Sequence, residues 1–437
     1  MEFLDKLFIP SSASTLALLK YLLMIALVIY SVYLGVLLTS SLLSLIYKFI
    51  YVRKKDGKYL KISKDYIDLI TPSKTTAFGL GLVPFFSIIL IYLQIIQKAE
   101  SDIIFYFFIS FILFIPAVIL LYLFKHTIIE KSNGETTYQK AGGFSNWLYG
   151  IAGFILLMVS ARLFTADVTM SADFPKWSEG LYLTELMLNI QTILHIVQFV
   201  TISIVISALA YIVKYFYWDK PEESEITEDM VYSRNINEWL ALIFGFIQPL
   251  LLVIDFLTIP EETMRTGEFI YGGLSLFSLL IMLHMTYAAI RWKKLGSIYF
   301  SFSLYLIIIS FAFLILKEQS AFALSSGEQT LQLTSDYNKF EETVREREGK
   351  AKPKIDGGEI YKTKCMACHR FDQKLVGPPH KLVMLKYLNN KEGMVKFILN
   401  PVKVDPAYPA MPDQGLTPDE AQAVVDYMYK EYGDKLK

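Results

Sequence analysis

The chain has 437 residues with 42 basic and 42 acidic side chains, so it carries no formal net charge and no basic stripe that would suggest a nucleic-acid partner. Hydrophobic residues make up 54% of it and aromatics 15%, which excludes an ordinary soluble domain and predicts a protein residing mostly in a lipid bilayer. Both of its cysteines lie within one pentapeptide, which excludes a disulfide framework.

In chain order, residues 15–50, 75–97, 103–124, 147–166, 186–213, 238–258, 269–290 and 298–316 are apolar runs. Each is long enough to cross ~30 Å of hydrocarbon as a helix. The N-terminus lacks a basic n-region and a small-residue cleavage site, so the first run is expected to be retained. Connections 51–74, 125–146, 214–237 and 291–297 hold 16 Lys or Arg between them, against three (Lys98, Lys176 and Arg265) in 98–102, 167–185 and 259–268. The positive-inside bias places the first set in the cytoplasm and both termini outside.

Two histidines fall inside spans, His195 in the fifth and His284 in the seventh. An imidazole in hydrocarbon needs a partner, which makes both functional candidates. Gln191 and Gln198 share a helix face with His195. For each histidine two readings stay open, a haem b ligand or a hydrogen-bonded packing residue. A pair across one haem is disfavoured by a depth difference of ~9 Å at ~1.5 Å per residue. Lys20, Glu185 and Asp255 lie near outer ends and are expected to snorkel to the interface. Arg162 is deeper, with a carboxylate, a haem propionate or, more commonly, a helix–helix hydrogen bond as its expected partner.

From about Ser325 the composition turns polar, and residues 336–354 read as a charged helical stalk. The expected division is a membrane domain over 1–320, a linker over 321–355 and a small domain over 356–437. That last segment contains Cys365-Met366-Ala367-Cys368-His369, a C-x-x-C-H run. Two thiols one helical turn apart suit addition to the two vinyl groups of a haem, with the next residue's imidazole facing the iron. A zinc or dithiol site is the alternative, but the chain has no further cysteine to complete one. One covalent haem c is the expectation, and its export chemistry agrees with an outer C-terminus.

The tail from 356 to 437 resembles the class I cytochrome c family. Gly358 and Tyr361 precede the haem run, and 421–429 forms an apolar-striped last helix with Tyr427 placed to pack against them. Gly377-Pro378-Pro379 stands where the family has a proline whose carbonyl holds the axial histidine. Tyr408-Pro409-Ala410-Met411-Pro412 matches its methionine loop. The resemblance implies His369 and Met411 as iron ligands with Pro378 behind His369. Met366, Met384, Met394 and Met428 compete for the methionine role, and His380 is expected to be a neutral surface histidine.

The fifth to eighth spans resemble, distantly, subunit I of cytochrome bd quinol oxidases. The stretches 194–211, with His195 where that family carries a low-spin haem b histidine, and 162–175 carry the likeness. Lys20 and Tyr271 stand where the family has other haem ligands, the third span lacks acidic residues, and the long quinol-binding outer loop is reduced to 259–268. An oxygen-reducing site is therefore not expected.

The fold expected is all-α: an eight-helix transmembrane bundle followed by a class I cytochrome c domain. The function expected is a membrane-anchored cytochrome subunit of a respiratory complex in the bacterial inner membrane. It would relay single electrons between further subunits and a soluble or membrane-bound redox partner on the outer side. Two alternatives stay open: a subunit that oxidises quinol and passes electrons to haem c, with a quinone as partner, and a non-redox anchor that docks other subunits.

Overall fold

In hydrocarbon, a run of twenty or more apolar residues satisfies its backbone polar groups by folding as a helix, and among the described residues eight helices are long and apolar enough to span a membrane. The computed structural model describes residues 11–71, 73–96, 103–128, 130–132, 135–137, 144–172, 183–219, 226–258, 266–292, 296–348, 355–388 and 390–433. The chain divides into two units, Lys20–Ser326, and Gly327–Lys437 with Met1–Leu19.

The first unit contains α1 (Ala13–Lys54, most of it), α2 (Gly57–Ile70), α3 (Lys74–Ile96), α4 (Ile103–Ile128), α5 (Phe144–Ser171), α6 (Leu183–Leu188), α7 (Ile190–Trp218), α8 (Glu228–Thr258), α9 (Thr266–Arg291) and α10 (Gly296–Ser325). A two-stranded antiparallel hairpin, β1 (Glu130–Ser132) and β2 (Glu135–Thr137), holds the only strands among the described residues. Helices α4 and α5 pack as one pair, α7 and α8 as another, α9 and α10 as a third, and α7 also packs against α5 and α10.

Three differences from the sequence reading matter. The connection after the first span is not a loop: α2 is an amphipathic helix, N-capped by Asp56, which buries Tyr59, Ile62, Tyr66 and Ile67. The fifth span does not begin at 186, because Asn189 breaks the helix and its side chain accepts from the Gln191 N–H to cap α7. The eighth span does not stop at 316, and α10 carries Lys317, Glu318 and Gln319 onward to Ser325.

Three pairs of serines between helices meet one another. Ser44 and Ser63 each donate to the other's carbonyl at 2.7 Å. Ser110 and Ser160 do the same at 2.8 Å, and Ser275 and Ser310 at 3.1 and 3.2 Å. These pairs hold α1 to α2, α4 to α5 and α9 to α10 at the close approach that small residues permit. The Arg162 guanidinium of α5 donates to the Met187 carbonyl at 2.5 Å and to the Thr192 hydroxyl at 2.9 Å, so it terminates α6 and bridges to α7. An aromatic cluster fills the bundle, with Tyr30 on Phe85 at 4.3 Å and Tyr92 on Phe107 at 4.9 Å between ring centres. A tyrosine ladder joins α1, α2 and α7: Tyr47 to Tyr66 at 6.0 Å, Tyr66 to Tyr211 at 4.9 Å.

The second unit contains α11 (Gly327–Arg347), α12 (Gly357–Ile360, continuing through a π turn, Tyr361–Cys365), α13 (His380–Lys386), α14 (Lys391–Leu399) and α15 (Pro418–Tyr432). Asp356 caps α12, Asn390 caps α14, and Thr417 with Glu420 forms a reciprocal capping box on α15. Residues 327–347 of the expected stalk region are helical, whereas Lys352–Lys354 lie outside the described residues, as do Lys98, Lys176, Arg265 and the Glu185 side chain. Replacing both Ser110 and Ser160 by alanine is expected to cost about 1 kcal/mol, since interhelical hydrogen bonds in membranes average roughly 0.6 each. Detergent-driven unfolding of the purified protein, followed by circular dichroism, measures this.

Candidate haem site and the intramembrane histidines

The small domain is built on a crossing of its first and last helices. A Cβ on Gly357 would lie 2.0 Å from the Ala423 carbonyl oxygen, so only glycine permits α12 to approach the α15 backbone this closely. Tyr361 and Tyr427 then pack at 5.5 Å. The core beneath consists of Tyr361, Met384, Met394, Ile398, Val424 and Met428, with Ala421 and Val425.

After Cys365 the chain turns tightly, with the N–H groups of Cys368 and His369 donating to the Cys365 carbonyl at 3.2 and 3.0 Å. The His369 Nδ1 donates to the Pro378 carbonyl at 2.8 Å. That bond sets the tautomer and leaves the Nε2 lone pair unspent. The Gly377 N–H donates to the Cys368 carbonyl at 2.8 Å, and a Cβ on Gly377 would lie 2.2 Å from the His369 ring. The ring therefore lies against bare backbone, held at a fixed tilt.

These residues line one cavity of about 430 Å³, shared by Cys365, Cys368, His369, Pro378 and Met411. Met411 reaches it from an irregular loop whose residues 408–412 all form cavity wall. Met384 is a fully buried core residue, Met366 packs against the core, and Met394 and Met428 are core residues that also touch the wall. Burial pushes the Cys365 thiol up to about 11. The donor set fits a covalently attached haem: two thiols, an oriented imidazole, a thioether and an apolar lining.

His380 is not the surface residue that the sequence suggested. It is 6% exposed, stacks on His369 at 4.5 Å and pairs its Nδ1 with the Tyr361 hydroxyl at 2.9 Å. Burial first, and the neighbouring His369 second, hold it down at about 3, so the ring stays neutral. Nothing in its local sequence marked it, because the partner lies 19 residues away.

A helical domain that closes this cavity over a C-x-x-C-H run defines a c-type cytochrome, carrying covalent haem in a chain with eight membrane-length helices among the described residues. The chain belongs to the cytochrome c family: the family's sequence profile matches residues 355–430. Cytochrome c-551 of Pseudomonas denitrificans is 35% identical over 77 residues, which span 93% of that protein and 16% of this chain.

The membrane histidines have different surroundings. His284 is exposed on α9, on the same face as the exposed residues Phe277, Leu280 and Tyr287. That face is turned away from the bundle interior, so the structure does not bring His284 to His195, and His284 meets no haem-sized cavity among the described residues. His195, in the second turn of α7, has both ring nitrogens engaged, Nδ1 with the Thr169 hydroxyl at 2.8 Å and Nε2 with Asp255 Oδ1 at 2.9 Å. The adjoining cavity is about 80 Å³. As folded, this arrangement does not fit a haem b.

Asp255 does not snorkel. It is 2% exposed, and Lys317, 3% exposed, donates to its Oδ2 at 2.5 Å. Lys317 also donates to Glu318 at 2.8 Å. Gln191 bonds the Thr258 carbonyl instead of His195. Sequence reasoning missed Lys317 and Glu318 because it ended the eighth span at the last apolar residue; a Lys-Glu pair followed by Gln319 and further apolar residues was the available signal.

Two outcomes are expected. Gly357→Ala should destabilise the small domain by about 1–3 kcal/mol through overpacking, read as an earlier loss of haem absorbance in guanidinium. Lys317→Met should destabilise the membrane unit by roughly 3–5 kcal/mol, because it strands a buried carboxylate, with Lys317→Arg recovering most of the loss in a thermal aggregation assay.

Proposed function

We propose that this chain is the membrane-anchored cytochrome subunit of a respiratory electron-transfer complex, relaying single electrons on the outer face of a bacterial inner membrane through a haem c ligated by His369 and Met411. The observation that carries the reading is one cavity onto which His369, oriented by Pro378, and Met411 both open. Haem, when bound, supplies a one-electron iron couple, and histidine with methionine ligation sets it at a raised potential suited to a late carrier.

The chain's own residues do the rest. Cys365 and Cys368 would hold the haem covalently, His369 and Met411 would hold its iron, and the Pro378 carbonyl keeps the His369 ring from turning. Val376, Leu382, Leu385, Val402 and Val404 line the cavity and are exposed, giving it an apolar rim. Residues 356–403 carry nine basic and four acidic side chains, whereas 404–437 carry three and seven. This dipole favours a partner that presents an acidic patch around an apolar contact. Covalent continuity with a membrane unit holds the domain near its donor at an effective concentration in the millimolar range.

Met411→Ala is expected to abolish the far-red thioether-to-iron absorption and to lower the reduction potential, while the haem stays covalently bound. An unchanged spectrum would assign the sixth ligand elsewhere. Deleting residues 336–354 should slow electron delivery from membrane partners at least about tenfold, measured by stopped-flow reduction of haem c in native membranes.

A further inference from the structure

The quartet at the end of the bundle where α5 and α8 finish and α7 begins, with Asp255 and Lys317 buried and His195 and Glu318 half-buried, is unused by the haem c reading. The Thr169 hydroxyl has one proton, directed to the Thr165 carbonyl at 2.8 Å. With its proton there, the oxygen is placed to accept from His195 Nδ1–H at 2.8 Å. Asp255 Oδ1, 2.9 Å from Nε2, accepts the second ring N–H, and Glu318 Oε1 lies 3.6 Å from the same nitrogen. With both ring nitrogens donating, His195 is an imidazolium that, with the Lys317 ammonium, balances the carboxylates of Asp255 and Glu318. A net-neutral group of four charges is the arrangement that burial tolerates.

The cavity beside it has room for water next to the charged groups. Its volume of about 80 Å³ accommodates a few molecules, each having a ~30 Å³ share of liquid volume. The Gln198 side chain, 7% exposed, lines this cavity, and its amide Nε2 has no hydrogen-bond partner among the described residues. A buried donor without a protein acceptor at the edge of a void calls for a bound water. The walls contributed by α1 and α5 add no charged group, only the neutral polar Ser31, Thr165 and Thr169 among the apolar Leu27, Phe164 and Val168, and α7, α8 and α10 add the quartet. Behind Glu318, the Tyr92 hydroxyl of α3 accepts from Gln319, and Asp167 of α5 lies within electrostatic reach of Tyr92. A divalent cation is disfavoured here, because Lys317 already occupies both carboxylates.

We propose that His195, Asp255, Lys317 and Glu318 form a proton-exchange site that holds one exchangeable proton on the His195 ring and passes it to bulk water through Glu318 and the hydrated cavity. In the release step the Nε2–H bond breaks and the proton moves to a carboxylate oxygen, leaving a neutral imidazole and a neutral carboxyl. The carboxyl then gives the proton to cavity water, and the quartet goes from net zero to one negative charge. Lys317 keeps its proton throughout and stabilises that charge. Glu318, 21% exposed where Asp255 is 2%, is the outlet. The inference goes beyond the haem c reading and does not rest on it.

The test is ¹⁵N magnetic resonance of the full chain, labelled at its five histidines and reconstituted in lipid nanodiscs, with His195→Gln identifying the signal. At about pH 8, where an ordinary imidazole is almost wholly neutral, His195 is expected to show two protonated ring nitrogens that exchange with deuterated solvent. In Glu318→Gln the neutral fraction should rise about tenfold, since an opposite charge within reach typically shifts a titration by a unit or more. An unchanged haem c spectrum and elution volume certify folding. Asp255→Asn should behave likewise, and Ser275→Ala, distant from the quartet, should not. A neutral His195 in the unsubstituted chain, a signal indifferent to Glu318→Gln, ring protons that never exchange, or a metal-shifted nitrogen would each overturn the proposal.

Discussion

A polar atom in hydrocarbon that lacks a partner costs several kcal/mol, and the architecture of the larger unit follows from this constraint. It makes every long segment a helix, and it decides which helices touch. Serine hydroxyls that could have bonded only their own helices instead reach across to a neighbour's backbone in three reciprocal pairs. Arg162 satisfies the carbonyl end of α6, which permits the chain to break at Asn189 and restart as α7. That restart places His195 opposite Asp255 and Thr169. A continuous helix from 186 would have carried the imidazole on a different phase, since each inserted or deleted residue rotates a helix face by about 100°.

The same constraint separates what could be read from the sequence and what could not. Span number and approximate position follow from local hydropathy, and local hydropathy is a property of consecutive residues. The C-x-x-C-H run and the loop containing Met411 are likewise contiguous. Partnerships between distant residues have no such local mark. Asp255 looks like a snorkelling carboxylate from its place one turn before Ile259-Pro260, and only the extension of α10 past residue 316 shows that Lys317 meets it inside the bundle. A charged residue just beyond an apolar run is ambiguous in sequence, because snorkelling and internal pairing both put it there. His380 was misread for a related reason: seven residues of α13 carry little periodicity, so the face it presents to Tyr361 could not be phased. Cavity size is also nonlocal, which is why a haem b on His195 was compatible with the sequence and is not compatible with the packing around it.

The histidines show how environment assigns one side chain to different tasks. To hold an iron centre, an imidazole must give one N–H to a fixed acceptor and keep the other nitrogen's lone pair facing open space. His126 and His284 are exposed on helices and have no fixed acceptor among the described residues. His380 has Tyr361 on Nδ1, but it is enclosed in the core and stacked on its neighbour. His195 is oriented well, yet both of its nitrogens are spent, which suits a ring that carries a proton and not one that carries a metal. His369 alone among them combines an N–H bonded to a backbone carbonyl with a cavity of haem-like size. Its acceptor is a proline carbonyl nine residues on, in a segment whose glycine leaves room for the ring. The acceptor that turns Nε2 toward the cavity is thus part of the backbone, fixed by the same segment that makes room for the ring.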